Sequence, residues 1–247
     1  MDRESKIYLS ILQCNLERSI SATSLLSKQL KYYDLALIQE PYCRKNIPSC
    51  LPTFCPILKG TNQFPWANTL MPITSLSILY HEKYSNENII VSEIMIQEER
   101  IIILNVYFLG GVDTKSFIDD LQRIVEAFQE IHIIMAGDFN AHSPAWRGDN
   151  LDRQGHLLEE FLAYNDLLIL NNPFSPPTFN SARGSSWIDM AFCSAGYYTR
   201  IENWRVLPDE TLSDHDYIAF DLTGTEDNHT LISTPQCKYA LNRAAWT

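Results

Sequence analysis

The stretch IIMAGDFNAH, residues 133–142, decides how the rest of the chain is read. Its first four residues, Ile133-Ile134-Met135-Ala136, are uninterrupted apolar, the pattern of a fully buried strand or of part of a buried helix. Gly137 breaks the run, and Asp138, Asn140 and His142 follow at once. A buried strand that ends in glycine and then offers convergent polar groups is how α/β proteins build sites. An ordinary strand exit capped by Asp and Asn looks the same in isolation. The flanking sequence has to decide between them.

Working back from this stretch, Phe117, Leu121, Ile124, Val125 and Phe128 fall on one face of an amphipathic helix. Before it, residues 88–96 and 101–107 are apolar runs around Glu98-Glu99 and read as a hairpin, so part of the sheet is antiparallel. Residues 73–80 read as another strand, and 43–72 as irregular, proline-rich chain. Residues 7–14 and 35–39 are strands by their β-branched and apolar content. Between them Ala22, Leu25, Leu26 and Leu30 take helical spacing behind Ser19 or Ser21 as cap. Working forward, Leu157, Leu158, Phe161 and Leu162 mark a further helix, and residues 167–170, 187–193, 202–206 and 217–222 read as strands. The loop 173–186 has room for a small hairpin. Mixed helices and strands with several hairpins predict α/β layers around a mixed sheet, in one domain.

Composition narrows the function. Of 247 residues, 45% are hydrophobic and 20% charged, normal for a globular chain with a sizeable core. The formal net charge of −11 excludes a global positive field for nucleic acid, yet suits carboxylates gathered around a divalent cation. The six cysteines form no CxxC pair and no zinc spacing, so free thiols in a reducing compartment are expected. No signal-peptide or membrane-spanning run is present, which predicts a cytosolic or nuclear protein.

Polar residues recur where the apolar strands stop: Asn15, Glu40, Tyr107, Asp138, Asn140, Asp189, Asp214 and His215. Burying that many acids without a partner would be very costly, and a bound cation or a phosphate-processing site resolves the cost. Glu40 is a hard carboxylate of the kind that holds Mg²⁺ with several waters. His215 oriented by Asp189 suits polarisation of a phosphoryl oxygen or water. Asp138 can position or deprotonate an attacking water, and Asn140 can donate to the phosphate.

The segments LQCNLERS (12–19), LIQEP (37–41), NVY (105–107), GDFNAH (137–142), SWIDMAF (186–192) and LSDHDYI (212–218) occur in one order. That order resembles the exonuclease–endonuclease–phosphatase superfamily, which includes DNase I and the apurinic endonucleases. More narrowly, GDFNAHSPAWRG, DRQGHLLEEFL, SPPTF and RGSSWID are similar to the endonuclease domains of arthropod-type non-LTR retrotransposons. The resemblance covers residues 7 to about 222. It implies a DNase I-like, four-layer α/β sandwich of two packed mixed β-sheets flanked by helices. It implies Mg²⁺, replaceable by Mn²⁺, and nicking of double-stranded DNA to leave a 3′ hydroxyl that primes reverse transcription. By position it makes Glu40 the main metal ligand, with Asn15 and Asp214 near it. Asp138 and His215 serve the water and phosphate, Asp189 orients His215, and Asn140 and Tyr107 contact the phosphate. Cys14 stands where many superfamily members have Trp, and the longer basic N-terminal region of the repair enzymes is missing, which points away from abasic-site repair.

Three further expectations complete the reading. Residues 1–225 form the endonuclease domain, and 226–247 a connector leading to a reverse transcriptase domain in the same polypeptide, acting in the nucleus. The loop 180–186, with Arg183, Ser185 and Ser186, reads DNA beside the scissile phosphate, Arg183 sensing minor-groove width. The rival functions are a phosphatase of the same fold acting on a phosphoinositide or other small phosphate, and a catalytically idle DNA-binding module.

Overall fold

The computed structural model describes residues 7–60, 64–72, 76–96, 98–110 and 113–224. The expected connector, residues 226–247, lies outside the described residues, as do 73–75 of the strand expected over 73–80. Chain order is β1 (Ile7–Asn15), α1 (Ile20–Leu30), β2 (Leu35–Gln39), β3 (Cys43–Arg44), β4 (Ile47–Pro48), β5 (Ile57–Lys59), β6 (Ala67–Leu70) and β7 (Ile78–Tyr80). The middle of the chain supplies β8 (Ile89–Ile96), β9 (Glu99–Tyr107), α2 (Thr114–Ala127), β10 (His132–Asp138), α3 (Arg153–Tyr164) and β11 (Leu167–Ile169). The last third holds β12 (Phe179–Ser181), β13 (Gly184–Ser186), β14 (Asp189–Ser194), β15 (Ile201–Val206) and β16 (Ile218–Thr223).

One six-stranded sheet has the order β15-β16-β1-β2-β6-β5, the other β11-β14-β10-β9-β8-β7. Both are mixed. The pairs β1/β2 and β9/β10 are parallel and joined through α1 and α2, because parallel neighbours need a crossover. The other pairs are antiparallel, β8/β9 as the expected hairpin, and β1/β16, β2/β6 and β10/β14 between strands distant in sequence. Helix α1 covers the outer face of the first sheet, with Ala22, Leu26 and Leu30 packed on Leu12, Ala36 and Ile38. Helices α2 and α3 cover the outer face of the second, where Phe117, Leu121, Ile124, Leu158 and Phe161 meet Ile102, Leu104, Ile133 and Met135. The chain is a four-layer α/β sandwich.

Between the sheets the side chains change character along each strand. Alternate residues share a face. On β1 that face reads Leu9, Ile11, Gln13, Asn15; on β2, Leu35, Leu37, Gln39; on β9, Ile101, Ile103, Asn105, Tyr107. On β10 it reads Ile134, Ala136, Asp138, and along the antiparallel β14 Cys193, Ala191, Asp189. Apolar packing at one end thus gives way to carboxylates at the other. On β1, β2 and β9 a buried amide lies in between: Gln39 Nε2 donates to Asn105 Oδ1 at 2.6 Å, and Asn105 Nδ2 to the Asn68 carbonyl at 2.8 Å. At the apolar end Ile7 is paired with Thr223, so both ends of the described domain lie side by side.

The stretch 43–72, expected to be irregular, holds four short strands. β6 is wholly buried between β2 and β5, and alternation is not visible in ANTL because both its faces are covered. Only residues 78–80 of the strand expected over 73–80 are a strand among those described. The loop 173–186 does fold its end into the β12/β13 hairpin.

Candidate active site

The polar ends of five strands converge. Asn15, 1% exposed, donates from Nδ2 to Asp138 Oδ2 at 2.9 Å and to Glu40 Oε1 at 3.1 Å, so a single amide joins two carboxylates. Its own oxygen accepts from the Glu17 N–H at 2.8 Å. Glu40 leaves β2 in the left-handed region, with φ 46°. Asn140 (φ 44°), Glu17 (φ 48°) and Arg18 (φ 54°) share that conformation. For non-glycine residues it costs about 1–3 kcal/mol each and gathers at functional sites. The Tyr107 hydroxyl, at the end of β9, donates to Glu40 Oε1 at 2.7 Å, so in this structure it orients a carboxylate.

Asp138 ends β10 in register with Tyr107 on one side and Asp189 on the other. Its Oδ1 accepts from the Asn140 N–H at 3.0 Å, and Asn140 Nδ2 reaches the Phe108 carbonyl at 3.1 Å. Asp189 opens β14, and both its oxygens lie within 3.1 Å of His215 Nδ1. Phe179 rests against the His215 ring at 4.8 Å, and Ser213 Oγ accepts the His215 N–H at 3.2 Å. One ligand-type atom from each of Asp138, Asp189 and His215 lies within 4.8 Å of the others.

Burial pushes the Asp138 carboxyl up to about 7, helped by the charge of Asp189 and opposed by His215 and by the bonds from Asn15 and Asn140. Burial alone would lower His215, but the charge and hydrogen bond of Asp189, then Asp138 and Glu17, raise it to about 9. Two neighbours are thus held with opposite preferences, one able to take a proton near neutrality and one able to keep it. Both folded values lie above the unfolded ones, 3.8 for Asp138 and 6.5 for His215. The native state therefore keeps protons that the unfolded chain has lost, and stability falls as pH rises from about 4 to about 9. The cation-free protein should melt at a lower temperature at pH 9 than at pH 6, and Asp138→Asn should flatten the acid part of that fall. A melting temperature that is level or rises over this range contradicts the arrangement.

Not every expected residue joins the cluster. Asp214 is exposed: its N–H donates to Glu17 Oε2 at 2.8 Å and its carbonyl accepts from Asn180 at 2.7 Å, so its backbone ties the rim to the hairpin. Arg183 and Ser185 are exposed on the β12/β13 hairpin, Ser186 is half-buried at its base, and that base is fixed by the Thr178 N–H on the Ser186 carbonyl at 3.0 Å. Sequence reasoning assigned no role at the site to Glu17, Thr178, Ser213, Arg18 or Trp66, the last read only as packing for the 43–72 stretch. Glu17 and Arg18 lie inside the quoted LQCNLERS, and their place two and three residues beyond a strand-ending Asn was the available signal. Trp66 had none, because β6 itself was not visible.

The oxygen donors suit a hard divalent cation. Glu40 and Asp138 are carboxylates held by one amide, and Arg18 Nε lies 3.6 Å from Glu40 Oε2.

Residues 101–219 match the profile of a family described as endonuclease-reverse transcriptase. Over 124 residues, 47% of this chain, the sequence is 29% identical to the "Retrovirus-related Pol polyprotein from type-1 retrotransposable element R1" of Bradysia coprophila, and the match spans 12% of that protein's length. The solved "Endonuclease domain of TRAS1, a telomere-specific non-LTR retrotransposon" superposes with a TM-score of 0.77 at 26% identity, over 87% of this chain and 98% of that one. AP endonuclease LMAP from Leishmania major gives 0.69 at 13% identity, over 91% and 92% of the two chains, a likeness of fold. No helix among the described residues is long and apolar enough to cross a membrane. Matched segment and superposed structures agree, and the chain is similar in sequence and fold to the endonuclease domain of a non-LTR retrotransposon.

Proposed function

We propose that this chain is a Mg²⁺-dependent DNA endonuclease that nicks duplex target DNA and leaves a 3′ hydroxyl for reverse transcription. The observation that carries the reading is the buried Asp138, tied through Asn15 to Glu40 and lying beside the Asp189–His215 pair. Glu40, with Asn15 beside it, would hold the cation. A Mg²⁺ held there, or Mn²⁺ in its place, would supply charge neutralisation and Lewis-acid polarisation of the phosphate. Asp138 takes the proton of the attacking water. The water oxygen bonds to phosphorus as the P–O3′ bond breaks, so the phosphate stays as the 5′-phosphate of the downstream fragment and the leaving O3′ takes a proton from solvent to become the 3′ hydroxyl. His215, kept protonated by Asp189, donates to a phosphoryl oxygen. Asn140 and Tyr107 orient the phosphate and Glu40. In the full-length protein a reverse transcriptase domain in the same polypeptide would extend the 3′ end, in the nucleus.

The hairpin tip is assigned to target choice, with Arg183 entering the minor groove and Ser185 and Ser186 donating to phosphates. A supercoiled-plasmid assay with Mg²⁺ tests hydrolysis, and polymerase extension of the nick tests its 3′ end. Arg183→Ala should redistribute nick positions and weaken preferred sites by ~1–3 kcal/mol. Phosphate release without nicking would favour the phosphatase. Strong preference for abasic over intact duplex would favour repair.

A further inference from the structure

Two arginine–tryptophan pairs stand on opposite flanks of the carboxylates. On one flank the Arg18 guanidinium lies 5.6 Å from the centre of the Trp66 ring, and Trp66 stacks on Tyr107 at 5.6 Å with 22° between planes. The Arg18 side chain is 60% exposed, its Nε lies 3.6 Å from Glu40 Oε2, and its backbone N–H donates to the Glu40 carbonyl at 2.7 Å. On the other flank the Arg147 guanidinium lies 4.3 Å from the centre of Trp187. Arg147 and the Trp187 indole N–H both donate to the Ser175 carbonyl, at 3.0 and 3.3 Å.

Sheet order fixes where the pairs stand. β10, which ends at Asp138, runs between β9 and β14. Trp66 leans on the β9 side through Tyr107, and Trp187 leads into β14. Arg147, at φ 69°, shares with Arg18 the left-handed backbone that costs a non-glycine residue stability. The Arg147 guanidinium is thus pre-oriented by a ring face and the Ser175 carbonyl, and that of Arg18 by a ring face and the Glu40 carboxylate, which lowers the ordering cost of binding. Next to Ser175, Phe174 is 91% exposed, and its loop is closed by the Phe174 N–H on Asn172 Oδ1 at 2.9 Å.

In a chain of net charge −11, a phosphate approaching these carboxylates is repelled unless fixed cations meet it. We propose that Arg18 and Arg147 grip two phosphates of one nucleic-acid strand, on either side of the phosphate delivered to Asp138. Trp66 and Trp187 are positioning residues, and Phe174 meets a sugar or base beyond Arg147. A nucleic-acid strand presents phosphates at the regular spacing that two anchors can engage at once, so the inference rests on the nuclease reading and narrows it to a strand.

The test measures affinity for a fluorescent duplex against salt, with EDTA to prevent cleavage. Arg18→Ala and Arg147→Ala should each weaken binding about tenfold and lower the salt slope by about 1, and the double variant by about 2. Trp187→Leu should weaken binding without changing the slope, and Trp187→Phe should restore it. Phe174→Ala, on an exposed ring that folding does not need, should weaken duplex binding several-fold while leaving competition by inositol polyphosphate as in wild type. With Mg²⁺, losses in both arginine variants should fall on KM more than on kcat. Unchanged salt slopes in both arginine variants overturn the clamp even if the wild type nicks. Lowered slopes in a wild-type background that does not nick keep the clamp and remove the hydrolysis reading.

Discussion

Asp138→Ala and His215→Ala should each cut nicking by ~10²-fold or more, the scale for losing a proton acceptor or a fixed charge aimed at the transition state. Asp138 is buried and accepts from Asn15 and Asn140, and among the described residues no other carboxylate bonds to both. Without it the attacking water has no base at that point. Without His215, the protonated donor held by Asp189 is gone. Both proteins should fold. Removing a carboxylate whose proton affinity burial has already raised relieves a cost, so Asp138→Ala should melt no lower than wild type at pH 8. Circular dichroism and a plasmid assay read the two halves. Near-normal nicking by either variant removes the mechanism, and loss of the fold removes the claim that these groups serve chemistry alone.

The second large effect is structural and sits one residue away. A Cβ built on Gly137 would lie 1.8 Å from the Val106 carbonyl oxygen, at φ 155°. Val106 is the register partner of Gly137 in the parallel β9/β10 pair, and both strands are buried. Backbone cannot move aside there without parting the central strands of the sheet. Gly137→Ala should therefore cost about 4 kcal/mol or more, in the range reserved for severe steric disruption. Gly184→Ala is the control. It also has a positive φ, 144°, but nothing lies within 4 Å of its Cβ position, so about 1 kcal/mol is expected. Urea unfolding measures both. A Gly137→Ala midpoint close to that of Gly184→Ala would show that the strands yield more easily than the geometry allows.

The two predictions also show why the site was legible. Gly137 and Asp138 are adjacent because close strand packing must end where a carboxylate is to be held. An uninterrupted apolar run followed by glycine and acid records that transition directly. The same holds for Gln39-Glu40, for Asn15 and for Asp189, each at a strand end. What stayed hidden was set by contacts distant in sequence. β6 carries no alternation, since both faces are covered, and with it the Trp66 stack on Tyr107 was lost. Asp214 has the sequence position of a ligand, yet it faces solvent because its backbone is engaged by Glu17 and Asn180. A motif specifies which residue is present, and the neighbouring turn decides which way it points.

The pairing of Ile7 with Thr223 sets a distance for whatever is joined to this domain. β1 runs nine residues from that pair to Asn15, about 26 Å at roughly 3.3 Å per residue. A module tethered at either end departs from the pole opposite the cutting mouth. Handover of a freshly cut end to such a module is then a matter of reach. Tether length and stiffness, rather than any contact at the mouth, would set how quickly the cut end is captured. Shortening a natural or engineered tether should slow extension of the nick while cutting itself keeps its pace.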